Sequence, residues 1–384
     1  MTTVVVGNGL FGAATARHLA ERGHEVVVIG AAPTRLDVRD APESAWPGHR
    51  VYSSHNDAAR LTRRLDRKPA WAEVTARAID RYRALEAASG ISFFHDVGCL
   101  IAARPGGNAD AVDPITLRDD DLDHVYFGPG DRGWRDRWPE LDFPDSHYVA
   151  YEPSPAGYIR PKPLIEAQNR LARRAGATIV AETVTAIERV NGRFVVAMSD
   201  GPPIDAERVI VAAGAFTNFN GLLPARVELT LKSEVIVLGE VDAATAEGLG
   251  RYPTVTYQID PVDLDDIYMV PPVRYEDGRY YVKMGANTRL DRWFTDLDEI
   301  QRWFNADTDP DHLPMFEPAL RALWPEIDFL SIRTQPCIIT YTADRMPRIE
   351  HLGDGLFVAT AGNGGGAKGS DAWGENVALL VERT

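Results

Sequence analysis

The amino-acid sequence predicts an α/β fold with a mostly parallel sheet and a second, antiparallel β-rich part. Three observations support this prediction. The chain opens with a strand, a glycine turn, a helix and a second strand over residues 2–30. Residues 355–383 have the order strand, glycine loop, helix. Residues 227–340 are rich in alternating patterns, which are typical of strands with one buried face.

The chain is acidic. It has 384 residues, with 41 Lys and Arg against 56 Asp and Glu, and a formal net charge of −15. Its 45% hydrophobic and 25% charged composition is ordinary for a soluble globular protein. Because an acidic excess disfavours binding to nucleic acid and to an anionic membrane surface, we expect neither partner. The length predicts two domains.

No segment resembles a signal peptide or a membrane span. The first residues, MTTVVVGNGL, lack a basic head and run directly into a strand pattern. The longest apolar runs fall far short of the roughly 20 residues that span a bilayer. We therefore expect a cytoplasmic protein. Only two cysteines occur, Cys99 and Cys337, which is too few for a disulfide framework.

A glycine motif follows the first strand. The strand TVVVG leads into GNGLFG, where Gly7, Gly9 and Gly12 form G-x-G-x-x-G, and a helix follows near residues 13–22. Between a strand and a helix, such glycines allow a pyrophosphate to approach free backbone N–H groups. We predict a Rossmann-type dinucleotide site. The alternative is a tight turn without a ligand.

One usual part of a dinucleotide site is missing. An acidic residue normally ends the second strand, roughly 20 residues after the glycines, and binds the adenosine ribose. Here the strand ends Ile29-Gly30-Ala31, and Asp37 and Asp40 lie too far along the chain to be equivalent. The sequence does not indicate what replaces the acid.

The next segment is basic and then polar. Residues 53–88 are predicted to be helical with a break at Pro69, and the run of basic residues at 60–68 is, taken alone, typical of a solvated helix face. A strand-rich stretch follows, and then a region rich in Asp and Pro to about residue 155. We interpret these residues, up to about residue 155, as an insertion between pieces of the first domain.

Two later segments have small residues after a buried strand. One strand ends at Ala212-Ala213-Gly214-Ala215, where a second cofactor phosphate or ribose could approach closely, although a plain strand end would have the same pattern. Gly364, Gly365 and Gly366 lie between a strand and an amphipathic helix, where a flexible linker is unusual. Neither zinc-ligand spacing nor a G-x-S-x-G motif occurs, so we expect no metal and no hydrolase site.

Taken together, these motifs resemble a known family. The order GNGLFG, RLTR, AAGA, VKMG, CIITYTAD and GNGGGAKG is similar to that of the FAD-dependent amine oxidases of the D-amino-acid oxidase superfamily, and most of all to the monomeric sarcosine oxidase group. The resemblance covers nearly the whole chain. It implies a discontinuous Rossmann-type FAD-binding domain and an antiparallel β-rich substrate domain. The FAD-binding domain would comprise residues 1–90, 150–216 and 325–384, and the substrate domain residues 91–149 and 217–324.

The resemblance implies that the flavin is covalently bound. Cys337, Thr340, Thr342 and Asp344 match the family's C-x-x-T-x-T-x-D segment, whose cysteine carries the 8α methyl of FAD. A thiolate is the suitable partner, because it adds to an electrophilic flavin methide. The alternative for Cys337 is a small buried hydrophobic residue, which is what we expect of Cys99.

The resemblance also implies a set of positive charges around the flavin. Arg60 and Arg63 match an R-x-x-R pair in which the first arginine lies over the flavin and the second binds the substrate carboxylate. Lys368 matches a lysine that closes the glycine loop beside the cofactor and pairs with the same carboxylate. Charge-assisted contacts of this kind offset the desolvation of a buried carboxylate. Surface charges are the alternative.

Lys283 matches a lysine at the flavin edge that helps dioxygen to accept the first electron, since a preorganised cation stabilises developing superoxide. An outward-facing strand lysine is the alternative. Tyr268 lies where a pocket tyrosine is expected. Ile339 and Asn287 replace an aromatic residue and a histidine of the sarcosine oxidase pocket, so the substrate specificity of that group is not carried over.

The resemblance implies oxidation of the C–N bond of an amino acid, or of an N-substituted or cyclic amino acid, to an imine, with dioxygen reduced to hydrogen peroxide. The partners would be a small amine or amino acid and dioxygen, with the protein a monomer or small homo-oligomer. Two alternatives stay open. One is a flavin dehydrogenase that passes electrons to a carrier, against which Lys283 argues. The other is a non-catalytic nucleotide-binding subunit of a larger oxidase.

Overall fold

The computed structural model describes residues 1–30, 54, 57–106, 122–258, 264–306 and 308–384. Asp37 and Asp40 lie outside these ranges. No helix within them is both long and apolar enough to cross a membrane. The helices are α1 (Leu10–Glu21), α2 (Pro69–Ser89), α3 (Pro161–Arg174), α4 (Ala243–Leu249), α5 (Leu297–Asn305), α6 (Leu313–Leu323) and α7 (Ser370–Arg383).

The strands of the described residues are β1 (Thr2–Val6), β2 (Glu25–Ile29), β3 (Arg60–Thr62), β4 (Phe94–Asp96), β5 (Cys99–Ala103), β6 (Val125–Phe127), β7 (Tyr148–Glu152), β8 (Gly157–Ile159), β9 (Thr178–Val180), β10 (Val184–Val190), β11 (Arg193–Met198), β12 (Ile204–Ala206), β13 (Arg208–Val211), β14 (Thr230–Ser233), β15 (Ile236–Val241), β16 (Thr254–Tyr257), β17 (Leu264–Arg274), β18 (Tyr280–Thr288), β19 (Trp293–Phe294), β20 (Ser331–Gln335), β21 (Ile338–Tyr341), β22 (Arg348–Gly353) and β23 (Leu356–Thr360).

The first large sheet has the strand order β22-β23-β13-β1-β2-β9. Its strands are parallel except for the edge strand β22. Helices α1, α3 and α7 cover one face, and the small sheet β10-β11-β12 packs on the other. Because both faces are covered, β1 is a continuous run of buried valines, Val4–Val6. The predicted α/β fold with a parallel sheet is confirmed.

The second large sheet has the order β20-β15-β18-β17-β16-β5-β7-β6. Its pairs are antiparallel except for β16 and β5. The predicted antiparallel β-rich part is therefore present. Helices α4, α5 and α6 contribute to its hydrophobic core. The division of the chain into two domains stays a prediction, and β20 joins this sheet although the sequence placed its residues with the first domain.

The predicted helix over residues 53–88 is wrong in its first half. Residues 60–62 form the strand β3, which pairs antiparallel with β8, and α2 begins only at Pro69. Proline at the first helical position is favourable because its missing N–H has no partner to lose there. Of the basic residues before it, Arg60 lies in the paired strand, and composition does not indicate this pairing.

Candidate cofactor and substrate site

A cavity of about 930 Å³ lies where the carboxyl ends of the first sheet's parallel strands face the second sheet. In an α/β sheet this edge is the usual place for a ligand. Gly12 and Lys283 are not among the lining residues. The residues predicted from the sequence that do line it are Gly7, Gly9, Arg60, Arg63, Ala213, Gly214, Tyr268, Cys337, Gly364, Gly365, Gly366 and Lys368.

Gly7, which follows β1, and Gly12, in the first turn of α1, have no room for a side chain. Gly7 has a φ of +107°, and a Cβ there would lie 2.4 Å from the carbonyl oxygen of Ala212. A Cβ at Gly12 would lie 1.8 Å from the carbonyl oxygen of Gly7. Gly9 is the N-cap of α1, and no side chain caps the helix. The first N–H groups of α1 are thus available to an anion, which fits the pyrophosphate of a dinucleotide.

The end of β2 explains the missing acid. A Cβ at Gly30 would lie 2.4 Å from the backbone nitrogen of Asn8, so the close approach of two chain segments excludes a side chain there. The next strand along the sheet, β9, is followed by Glu182, which lines the cavity. The sequence carries no signal for Glu182, because its place at the cavity depends on the pairing of β2 with β9.

The glycine loop after β23 is held against the segment that contains Cys337. The backbone N–H of Asn363 donates to the carbonyl oxygen of Thr340 at 2.9 Å, and its side-chain oxygen accepts from the backbone N–H of Thr342 at 2.9 Å. These bonds join the two C-terminal motifs into one wall of the cavity. The loop therefore has a defined structure that a flexible linker would lack.

Cys337 is 8% exposed and lies on this wall. Its Sγ is 3.4 Å from Nη2 of Arg60, so a positive charge lies beside the sulfur. Cys99 instead belongs to a hydrophobic cluster, and burial raises the pKa of its thiol to about 11. The two cysteines therefore have different surroundings, and only Cys337 meets the cavity.

Arg60 and Lys283 share one carboxylate, that of Asp57. Nζ of Lys283 is 2.5 Å from Oδ2 of Asp57 and donates to the carbonyl oxygen of Ala59 at 2.8 Å, and Arg60 also pairs with Asp57. Lys283 is 1% exposed and lies 5.1 Å from the ring centroid of Tyr268, which separates it from the cavity. Burial and the Arg60 charge lower the pKa of Lys283, while Asp57 favours its charged form. The alternative of an outward-facing lysine is wrong.

Arg63 and Lys368 converge on a second carboxylate, that of Asp66. Oδ2 of Asp66 is 3.4 Å from Nη1 of Arg63 and forms a short ion pair with Nζ of Lys368. Burial alone would raise the pKa of Asp66, but Lys368 and Arg63 outweigh it and lower the pKa well below its usual range. The two cations are therefore not surface charges, and their site accepts a carboxylate.

Glu152 holds in place the short segment between Arg63 and Asp66. It is buried at the end of β7, and its carboxylate accepts hydrogen bonds of 2.8 Å from the backbone N–H groups of Arg64 and Leu65. Burial raises its pKa. Asp57, Asp66 and Glu152 were all missed from the sequence, because a lone acidic residue carries no signal until its partners in the fold are known.

Comparison with known proteins agrees with this architecture. The family model described as FAD dependent oxidoreductase matches residues 2–380. A comparison with curated protein sequences gives no match.

Several solved structures are similar to the chain. NikD, an unusual amino acid oxidase essential for nikkomycin biosynthesis, is 21% identical with a TM-score of 0.73, covering 99% of this chain and 93% of that one. L-proline dehydrogenase from P. horikoshii is 16% identical with a TM-score of 0.71, covering 100% and 93%. Glycine oxidase from Bacillus cereus ATCC 14579 is 18% identical with a TM-score of 0.66, covering 99% and 97%. At these identities the similarity shows a shared fold.

Proposed function

Because this chain belongs to the family of FAD dependent oxidoreductases, we propose that it oxidises the C–N bond of an amino acid, or of an N-substituted or cyclic amino acid, to an imine. The observation that carries this proposal is the convergence of Arg63 and Lys368 on one carboxylate at the cavity wall. A site that holds the carboxylate of Asp66 in this way also suits a substrate carboxylate. We call Arg63 and Lys368 the carboxylate clamp.

The cofactor would lie along the motifs that line the cavity. The α1 turn would hold the pyrophosphate, Glu182 would lie near the adenosine end, and Ala213, Gly214 and the glycine loop at 364–366 would leave room for the rest. The chemistry that FAD supplies when bound is the removal of two electrons from the amine and their transfer to an acceptor. With dioxygen as acceptor, the amine loses two hydrogens and hydrogen peroxide forms.

We propose that the sulfur of Cys337 bonds covalently to the 8α methyl of the flavin, with loss of the thiol hydrogen and one methyl hydrogen and with dioxygen as the acceptor of the two electrons. Its place on the cavity wall, with Nη2 of Arg60 3.4 Å from the sulfur, supports this. Purified protein should then stay yellow after acid precipitation, and Cys337→Ser should release its flavin under the same treatment. Release of the flavin from the unaltered protein would contradict the covalent bond and leave the family assignment intact.

The charge near the cavity supports oxygen as the acceptor. Arg60 lines the cavity and pairs with Asp57, and Lys283 shares the same carboxylate. The positive charge of Arg60, and that of Lys283 when it is protonated, would stabilise the negative charge that develops on dioxygen as it is reduced. The side chains themselves transfer no electrons, and their contribution is a preorganised field.

A dehydrogenase is the second candidate. Lys283 lies behind Tyr268 and is paired with Asp57, so its charge reaches the cavity in part only. An enzyme that passes electrons to a carrier does not need that charge at the surface of the cavity. The non-catalytic subunit lacks support, since the family is one of oxidoreductases.

One screen tests these proposals together. Oxygen uptake and reduction of an artificial electron acceptor should be measured with secondary and cyclic amino acids and with the same compounds lacking the carboxylate. We expect turnover with the acids, and Arg63→Ala or Lys368→Ala should weaken binding of the acids roughly 10-fold to 150-fold. Turnover with the artificial acceptor alone would favour the dehydrogenase. A best substrate without a carboxylate would contradict the amino-acid proposal.

A further inference from the structure

The lining of the cavity is rich in basic residues although the chain as a whole is acidic, with a formal net charge of −15. Among the residues that the structure describes, the basic ones that line the cavity are Arg60, Arg63, Arg67, Lys68, Arg345 and Lys368. The acidic ones are fewer, namely Asp66, Glu182, Glu234 and Asp298. An acidic protein repels anions in general, so a local excess of basic residues indicates a place where anions are accepted.

The basic residues of the lining fall into two groups. Arg60 and the carboxylate clamp already pair with carboxylates. The others, Arg67, Lys68 and Arg345, are exposed, and none of them forms an ion pair within the described ranges of the chain. Asp298, an exposed acid of the lining, lies on α5 and does not pair with them. Because these three residues line the cavity and also reach solvent, we call them the cationic mouth.

The turn after β21 holds Arg345 at the cavity. Its backbone N–H donates to the carbonyl oxygen of Thr342 at 3.1 Å, and its guanidinium carbon lies 4.0 Å from the ring centroid of Tyr341. A guanidinium stacked on a ring keeps its N–H groups at the edge of the stack, where they can bind a carboxylate. Nζ of Lys68 lies 3.5 Å from the backbone carbonyl oxygen of Asp344, so a second cation lies beside the same turn.

Trp71 connects the cationic mouth to the carboxylate clamp. Its Nε1 donates to the backbone carbonyl oxygen of Arg345 at 3.1 Å, and Nζ of Lys368 lies 5.9 Å from its ring centroid. Trp71 is buried and lines the cavity. One indole ring thus contacts both the clamp and the turn that holds Arg345. The two groups of cations are therefore neighbours along one wall of the cavity, and a single ligand can reach both.

We propose that the substrate has a second carboxylate, which the cationic mouth binds while the carboxylate clamp holds the first. This proposal rests on the proposed function and deepens it, since it assigns the substrate to amino acids whose side chain or N-substituent ends in a carboxylate. The clamp alone accepts the carboxylate of any amino acid. The mouth adds selection, because a second carboxylate gains charge-assisted hydrogen bonds there that a neutral group does not.

The phosphates of FAD are the other anions that these cations can attract. The turn between β1 and α1 already offers backbone N–H groups to a pyrophosphate, since no side chain caps that helix. The exposure of the cationic mouth favours a group that enters from solvent over one that stays bound in the interior. Flavin retention in variants of the mouth distinguishes the two.

Matched ligands without an amine test the proposal, because they offer the flavin no C–N bond to oxidise. Succinate, glutarate, adipate and pimelate have two carboxylates at increasing separations. Their monoamides have nearly the same shapes, but a neutral amide replaces one carboxylate. Dissociation constants for each pair should be measured by flavin absorbance or calorimetry on the oxidised, flavin-loaded protein, at low and at high concentrations of sodium chloride.

We expect at least one dicarboxylate to bind about 5-fold or more tightly than its monoamide at low salt, because three exposed cations of modest individual strength act together. The preference should decline at high salt, which screens exposed charges. Combining Arg67→Gln, Lys68→Gln and Arg345→Gln should abolish the preference, and Arg345→Gln alone should lower it. Affinity for the monoamide should stay within about 2-fold and the flavin content should not change, which shows that fold and clamp are intact.

Arg348→Gln is the matched control. Arg348 lies in the same segment as Arg345, but it pairs with Asp344 at 3.4 Å and does not line the cavity. The control removes one positive charge close to the mouth without removing a member of it. It should keep both the preference for the dicarboxylate and the flavin content of the unaltered protein.

The proposal is overturned if no dicarboxylate binds more tightly than its monoamide, or if the triple variant keeps the preference. It is also overturned if the triple variant weakens both ligands of a pair alike, since the mouth would then attract any anion. Loss of flavin in Arg345→Gln as well as in the triple variant would assign these cations to the cofactor, against the proposal. If the triple variant alone loses flavin, Arg345→Gln decides: a lowered preference supports the proposal, and an unchanged one counts against it.

Failure of the carboxylate clamp gives a different result. Lys368→Ala would then leave the affinity for the monoamides unchanged, because their single carboxylate would not be held by Lys368. Loss of the preference in the triple variant would still assign the second carboxylate to the cationic mouth. The two proposals therefore stand or fall on separate measurements.

Discussion

The carboxylate of Asp66 lies between Arg63 and Lys368 and keeps two positive charges together at the cavity wall. Without it, these cations would repel each other across a partly desolvated space. The ion pairs lower the pKa of Asp66 and keep it ionised well below neutral pH. Under the proposed function, a substrate carboxylate would therefore compete with Asp66 for the same donors.

Asp66→Asn should remove this competition. We expect the variant to bind pivalate roughly 10-fold more tightly at neutral pH, because a charge-assisted contact to an internal acid no longer has to be displaced. The measurement is a calorimetric titration of the flavin-loaded protein. Weaker binding by the variant would show that Asp66 organises Arg63 and Lys368 for the substrate instead of competing with it.

Lys283→Met should affect the oxidative half-reaction most. If Lys283 supports oxygen reduction, reoxidation of the flavin should slow about 100-fold while reduction by substrate changes little. Stopped-flow absorbance measures both. The variant also removes one of the two cations that pair with Asp57, so Asp57→Asn combined with Lys283→Met is the control. If flavin reduction and flavin reoxidation slow equally, and if both recover in the double variant, then Lys283 has a structural role.

At the scale of elements, the first turn of α1 packs closely against the turn that follows β1. Gly12→Ala would place a Cβ 1.8 Å from the carbonyl oxygen of Gly7, so the backbone must shift. We expect the variant to lose most of its bound FAD, as measured by the ratio of flavin to protein absorbance. Gly248→Ala is the control: it lies in α4 with open space around it, and should stabilise the protein by up to about 1 kcal/mol.

The same turn could be predicted from the sequence, whereas β3 could not. Glycine spacing between a strand and a helix reports a local backbone requirement, so Gly7, Gly9 and Gly12 were found without knowledge of the fold. The residues of β3 are strand because they pair with β8, a segment far along the chain. Local composition favoured a helix there, and tertiary pairing overrode it.

The acidic partners of these cations could not be predicted from the sequence either. The resemblance of RLTR and GNGGGAKG to the family motifs pointed to Arg63 and Lys368, and the structure brings both to one cavity. Asp66 follows in the same segment, but nothing in its sequence neighbourhood distinguishes it from other acids in a chain with 56 of them. Ion pairs between distant segments depend on side-chain positions in space, and a single sequence does not record these.

At the scale of the whole molecule, Asp371 joins the helices that cover the first sheet. It is fully buried at the start of α7. Its carboxylate is 2.7 Å from Arg17 on α1 and 2.7 Å from Arg81 on α2, and accepts a hydrogen bond of 2.8 Å from Gln168 on α3. Burial alone would raise its pKa, but its partners outweigh this and lower the pKa far below the ordinary value. One carboxylate thus connects four helices.

Asp371→Asn should lower the free energy of unfolding by about 3 kcal/mol at pH 7, because it leaves buried cations without their partner. Since the folded-state pKa of Asp371 is lowered, its ionised form stabilises the fold above the ordinary pKa of 3.8, and this contribution declines as the pH falls further. The difference between the two proteins in urea unfolding should therefore shrink from pH 7 to pH 3.

Asp354→Asn is the matched control for that measurement. Asp354 also pairs with an arginine, Arg189, but its side chain is 78% exposed, and surface pairs contribute about 1 kcal/mol at most. We expect the control to change the free energy of unfolding by less than about 0.5 kcal/mol. A loss as large as that of Asp371→Asn, or a difference that is constant with pH, would show that the buried network is not what stabilises the helices.

In the first sheet, β23 lies beside β13, and the glycine loop and Lys368 follow β23 in the chain. A ribosome makes these residues long after those of the α1 turn. Until β23 has been made, a nascent chain therefore has only part of this cavity wall, and β13 lacks its neighbour on that side. We therefore expect FAD to be taken up only once β23 and the glycine loop are in place, and any bond to Cys337 to form later still.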